Sequence, residues 1–163
     1  MTPQMLLGTG FGPRTTASDV LGDRRLDGLR VVITGGSAGV GLETTRAPAK
    51  HMGSRKRQTR CSRWPSTRAA LRAEAALAGV ANVEIDPLDL GDPTSIDAFA
   101  TRTLAGGDPL HILLNNAGIM AVPLSRDARG FESQLATNHL GHFQLTARVW
   151  PALVASEPIA RFW

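Results

Sequence analysis

Apolar and polar positions alternate along the chain in blocks that read in turn as strands and helices. Val31-Val32-Ile33 is a run of β-branched residues that ends in Thr34-Gly35-Gly36-Ser37-Ala38-Gly39-Val40-Gly41, and Leu42 to Arg46 opens a helix. Val83-Glu84-Ile85 reads as a short strand. Asp92-Pro93 then offers an N-cap and a proline for the first helical position, and Ile96, Phe99, Ala100 and Leu104 fall on one face of the helix that follows. Leu110-His111-Ile112-Leu113-Leu114 is the best candidate for a strand buried on both faces. Pro65-Ser66-Thr67 can start a helix with Leu71, Ala75 and Ala78 at spacings of four and three. From Glu132 to Leu153 the pattern predicts one long amphipathic helix with Leu135, Leu140, Phe143, Ala147 and Trp150 toward the core. Strands alternating with helices predict a parallel α/β sheet.

The alternation fails in one place. Pro48 falls inside the first helix, where a missing N–H and a ring clash predict a break or kink. Ser54-Arg55-Lys56-Arg57-Gln58-Thr59-Arg60 holds no apolar residue where the second strand of such a sheet belongs. Residues 48–68 are therefore expected to be irregular. Charge marks the same stretch: Thr44 to Ala73 carries nine of the 18 Lys and Arg residues and none of the 14 acids. The rest of the chain has a net charge of −5, so the overall +4 comes from this one segment. Residues 158–163 also lack an apolar strand. Shifts of reading frame across the basic segment and near the C-terminus would account for both anomalies, as would a divergent insertion.

The 163 residues bound the chain to one domain, here divided into an N-terminal extension (1–28), the α/β domain (29–157) and a tail (158–163). Cys61 is the single cysteine, which suits a reducing, cytoplasmic compartment. No basic n-region or long apolar stretch marks a signal peptide or a membrane span. The basic segment with Trp64 could neutralise phosphates as a nucleic-acid binder, but a solvated charged stretch explains it more simply.

A buried strand that ends in glycines and opens a helix leaves unpaired backbone N–H groups at the positive end of the helix dipole, a seat for a pyrophosphate. Gly35, Gly39 and Gly41 follow G-x-x-x-G-x-G, not the G-x-G-x-x-G of the general dinucleotide fingerprint. Together with Asn115-Asn116-Ala117-Gly118 after the strand at 110–114, and with Thr137-Asn138-His139-Leu140-Gly141-His142-Phe143, this pattern resembles the short-chain dehydrogenase/reductase family. The likeness is to the N-terminal portion of members such as retinol dehydrogenases and related bacterial oxidoreductases. It runs over Leu29 to Arg46 and from about Leu77 to Leu153.

The resemblance implies a partial Rossmann-like, doubly wound parallel sheet with flanking helices that lacks its C-terminal strands. It also implies NAD(P)-dependent alcohol or carbonyl redox on a small-molecule substrate, with homo-oligomers in full-length members. Cofactor contacts would come from Gly35, Ser37, Gly39, Val40, Gly41, Asp89, Leu90, Asn116, Ala117 and Gly118. Ser37 could equally cap the helix, and an Asp such as Asp89 is common at any strand exit. Coenzyme choice depends on an acid about 20 residues past the glycines, or on an arginine there for a 2′-phosphate. Arg60 lies 19 residues past Gly41 and no acid is near, which favours NADP over NAD.

Family members use a tyrosine as general acid/base, a lysine four residues later and a serine. This chain has no tyrosine, and its lysines are Lys50 and Lys56. Asn138 is the one position of the catalytic tetrad present. The expected chain is thus an oxidoreductase by lineage that is catalytically incompetent by itself, or a fragment that at most binds a nucleotide. His139 and His142 stand three apart without further ligands, so no metal site is inferred.

Overall fold

The computed structural model describes residues 10–52, 59–63, 67–156 and 161–162. Strands β1 (Val31–Ile33), β2 (Thr59–Arg63), β3 (Val83–Pro87), β4 (Ile112–Leu114) and β5 (Arg161–Phe162) form one parallel sheet in the order β3-β2-β1-β4-β5. The helices are α1 (Ala17–Leu21), α2 (Gly39–Lys50), α3 (Thr67–Ala76), α4 (Pro93–Leu104), α5 (Ser133–Leu135) and α6 (His142–Val154), with a π-helical turn at Ala136–Gly141 between the last two.

Alternate residues of β1 point to opposite faces of the sheet and build two cores. Val32 joins Leu113 of β4, Ile96 and Phe99 of α4, and Leu145 and Val149 of α6. Val31 and Ile33 meet Met52 on the other face, with Leu26, Ile112 and Leu114 packed against them. The extension is therefore partly built into the domain. Leu26 N–H donates to the His51 carbonyl at 2.9 Å, fixing the chain before β1 to the end of α2.

The basic segment departs from expectation. Residues 59–63 form a strand in parallel register with both neighbours, Val32 opposite Arg60 on one side and Arg60 opposite Glu84 on the other. Thr59, Arg60 and Ser62 are paired instead of solvated. Buried Thr59 donates to Met52 Sδ at 3.3 Å, and buried Ser62 accepts from the Gly35 N–H at 3.0 Å. The Arg60 guanidinium reaches Glu84 at 3.0 Å and pairs with buried Asp86, which Arg102 of α4 also contacts at 2.9 Å. Glu84 and Asp86, the acids that neutralise Arg60, lie on β3, beyond the acid-free stretch Thr44 to Ala73. Residues 53–58 and 64–66, where the expected irregularity also falls, lie outside the described residues.

Helix α2 continues through Pro48 to Lys50; the proline forgoes its own N–H bond to the Thr44 carbonyl, but it sits in the last turn, so the loss falls at the end of the helix and does not interrupt it. A two-residue strand, β5, occurs in the tail and pairs with β4. The long helix buries a different face from the one read off the sequence: Phe143 is 71% exposed, and Leu135, Ala147 and Trp150 are exposed as well. Its core contacts are Leu145, Val149, Ala152 and Leu153. The π-helical turn breaks the 3.6-residue phase, and α6 carries two apolar stripes between which periodicity alone cannot choose. Helix α3 likewise turns Ala73 inward, with Leu77 just past its end, and leaves Leu71 exposed.

Candidate functional site

The loops after β1, β3 and β4, with Ser62 of β2 and Ala69 and Arg72 of α3, meet at one edge of the sheet around a cavity of about 560 Å³. Its floor is the turn from β1 into α2. A Cβ on Gly41 would lie 2.3 Å from the Gly35 carbonyl oxygen and 2.4 Å from Asn116 Nδ2, so the helix can start this close to the turn only with glycine there. The first intrahelical bond of the segment runs from Leu42 N–H to the Ala38 carbonyl. The amides of Gly39, Val40 and Gly41 precede it at the positive end of the helix dipole. A Cβ on Gly39 would meet nothing within 4 Å. An open backbone surface with amides at a helix N-terminus fits a pyrophosphate. The N-cap is Ala38 without a side-chain cap bond, so Ser37 does not cap the helix and instead lines the cavity.

The second wall is the Asn115-Asn116-Ala117-Gly118 turn after β4. Thr34 joins it to the first. Its Oγ1 accepts the N–H groups of Asn116 at 2.9 Å and Ala117 at 3.0 Å, while Asn116 Nδ2 donates to the Thr34 carbonyl at 3.0 Å. Thr34 is fully buried and its Oγ1 lies 2.8 Å from His142 Nε2, whose Nδ1 lies 3.0 Å from the Asn138 carbonyl. Burial lowers the His142 pKa, and the bond to Asn138 opposes this in part. The third wall is the π-helical turn. There the Asn138 side chain accepts from Ile119 N–H at 2.9 Å and donates to the Ile119 carbonyl at 2.8 Å. Both ends of that amide hold the loop beyond Gly118. A Cβ on Gly141 would lie 2.2 Å from the Leu90 carbonyl oxygen, so only glycine lets this turn sit directly on the loop that follows β3.

Of the residues expected from sequence, Gly35, Ser37, Gly39, Val40, Gly41, Leu90, Asn116, Ala117 and Gly118 line the one cavity. Asp89 lines a neighbouring cavity of about 400 Å³, and its carboxylate accepts the Gly91 N–H at 2.8 Å. Asn138 stands beside Gly118, with Oδ1 3.4 Å from where a Cβ would be. Arg60 is not brought to the site, because Glu84 and Asp86 hold its guanidinium. Ser62 and Arg72 take its place on the cavity wall. Ser62 lies 21 residues past Gly41, a spacing that could have found it. Arg72, on α3, is the one charged side chain among the described lining residues. Nothing in the local sequence singles it out from the other cations of the basic segment.

A parallel sheet with a glycine turn, a helix N-terminus and a cavity at its C-terminal edge is the architecture of the Rossmann-like α/β class. The family model for short chain dehydrogenase matches residues 30–158, and the chain belongs to that family. It is 42% identical over 142 residues to retinol dehydrogenase 12 of Bos taurus, covering 83% of this chain and 42% of that protein. It is 46% identical over 129 residues to a probable oxidoreductase of Streptomyces lividans, covering 78% of this chain and 41% of that one. The chain thus spans less than half the length of these relatives. Among solved structures, a metagenomic short-chain oxidoreductase in complex with NADP superposes with a TM-score of 0.65 at 24% identity, over 84% of this chain and 60% of that one. Among the described residues, no helix is long and apolar enough to cross a membrane.

Proposed function

We propose that this chain is the dinucleotide-binding portion of an NAD(P)-dependent oxidoreductase for small alcohols or carbonyls, with NADP preferred, and that it turns over no substrate by itself. The observation that carries the reading is the cavity at the start of α2, where open amides and glycine surface meet the Asn116–Gly118 turn. NADP(H), when bound, supplies or accepts the hydride. The chain's own residues bind and orient: amides of residues 39–41 take the pyrophosphate, Leu88 and Leu90 offer an apolar wall, and Ser62 faces the ribose. No carboxylate lines the cavity among the described residues, and Arg72 does. That charge balance favours a 2′-phosphate over a free 2′-hydroxyl. Catalytic incompetence rests on composition, since no tyrosine is present to act as general acid/base. The lone Cys61 supports a reducing compartment such as the cytoplasm, and association into homo-oligomers belongs to the reading of the family as a whole.

Titration of the purified chain with NADPH and NADH, followed by nicotinamide fluorescence and calorimetry, tests this reading. NADPH should bind more tightly than NADH. Gly39→Asp should abolish both by placing an anion against the pyrophosphate, and Arg72→Glu should remove the preference for NADPH. A folded chain that binds neither nucleotide would overturn the proposal.

A further inference from the structure

We propose that His142 is a positioning residue of the nucleotide cavity: by accepting the Thr34 hydroxyl proton it sets the approach of the Asn116–Gly118 turn to the glycine turn. The functional meaning of that approach rests on the nucleotide-binding reading above.

Counting donors and acceptors leads to this assignment. The Asn138 carbonyl can only accept, so His142 Nδ1 must carry a proton to bond it at 3.0 Å. In the neutral ring Nε2 is then an acceptor, and its partner among the described residues is Thr34 Oγ1 at 2.8 Å, which has one proton to give. With that proton committed, the two hydroxyl lone pairs are left for the Asn116 and Ala117 amides, and both are taken. The competing acceptor, the Leu114 carbonyl, lies 3.4 Å from Oγ1 and already receives the Thr34 N–H at 3.0 Å. Every atom of the network is thereby satisfied in one arrangement only.

The consequence for the cavity is steric. A Cβ on Gly35 would lie 2.9 Å from Ala117 Cα, so the two turns touch backbone to backbone. Asn116 Nδ2 occupies the space where a Gly41 Cβ would stand. A shift of the Asn116 turn therefore moves the start of α2 with it. The other end of His142 holds the π-helical turn, from which Asn138 clamps Ile119. One buried imidazole ties three walls of the cavity together without lining it.

The test uses the whole chain, free of nucleotide and then with NADPH. Long-range ¹H–¹⁵N NMR should show His142 protonated at Nδ1 and bare at Nε2; a ring protonated at Nε2 would overturn the assignment. His142→Met removes the acceptor at similar volume, and His142→Gln returns an oxygen near the Nε2 position. Amide exchange of Asn116 and Ala117 should rise about tenfold in His142→Met, the equivalent of one ordinary hydrogen bond, with Val32 and Leu113 unchanged. His142→Gln should restore most of the protection, and NADPH affinity should follow the same order. Equal loss in both variants, or loss across the whole sheet, would reduce His142 to packing and overturn the proposal. Should His142→Met fail to fold, the pair Thr34→Val and Thr34→Ser poses the same question. Failure of the parent chain to bind NADPH would sink the nucleotide reading, while the exchange pattern would still decide the role of His142.

Discussion

Two histidines, the buried His142 and the half-buried His111, make stability depend on pH in a defined direction. Desolvation lowers the His142 pKa, and desolvation with the nearby Arg30 charge lowers that of His111. In the unfolded chain both rings return to about 6.5. Below that value the unfolded state binds protons that the native state refuses, so stability is complete above about pH 7 and falls as pH drops from about 6.5 toward the native values. Urea midpoints measured at about pH 7.5 and about pH 5.5 should therefore differ in favour of the higher pH, and His142→Gln should shrink the difference. Stability that rose on acidification over this range would contradict the neutral His142 on which the Thr34 network depends.

At the level of elements, β2 and α6 show how polar and apolar patterns can mislead singly and agree in pairs. The β2 strand tolerates arginine because β3 presents Glu84 and Asp86 across from it. Arg60 and Asp86 have side chains only 15% and 6% exposed, and removing Asp86 leaves the buried Arg60 with Glu84 alone and takes the carboxylate from Arg102. Asp86→Ala should cost about 1–3 kcal/mol in urea unfolding, whereas replacing Arg60 and Asp86 together by apolar residues of similar volume should cost less. A neutral Asp86→Ala would mean that β2 is not seated as described. For α6 the contrast is between faces. Leu145→Ala should cost about 2–5 kcal/mol by leaving a cavity among Phe99, Val149 and their neighbours. Phe143→Gln, on the exposed stripe, should stay within about 0.5 kcal/mol. The reverse order would restore the face that periodicity suggested.

At the scale of the whole molecule, the proposed nucleotide cavity belongs to a chain that contains no tyrosine. A monodisperse sample incubated with NADPH or NADH and a panel of secondary alcohols and aldehydes should show no change in nicotinamide absorbance. Loss of a general acid/base alone removes about 10²- to 10⁴-fold of rate. Turnover that survived purification and vanished in Gly39→Asp would reveal a donor outside the tyrosine–lysine pair.

Much of the site was legible in the chain because its chemistry is local. The glycine spacing at 35, 39 and 41 and the Asn115–Gly118 run each specify a backbone path within a few residues, and the structure brings them to one edge through the β1–β4 pairing. The Asp92 cap with Pro93 was readable for the same reason. What sequence could not decide was every question of partnership across the fold. Whether Arg60 faces a phosphate or Asp86, which of two apolar stripes of α6 is buried, and which cation of the basic segment reaches the cavity all depend on residues far away in the chain. Local backbone preference is written in consecutive residues, whereas the neutralisation of a charge and the choice of a buried face are settled only when distant segments pack together.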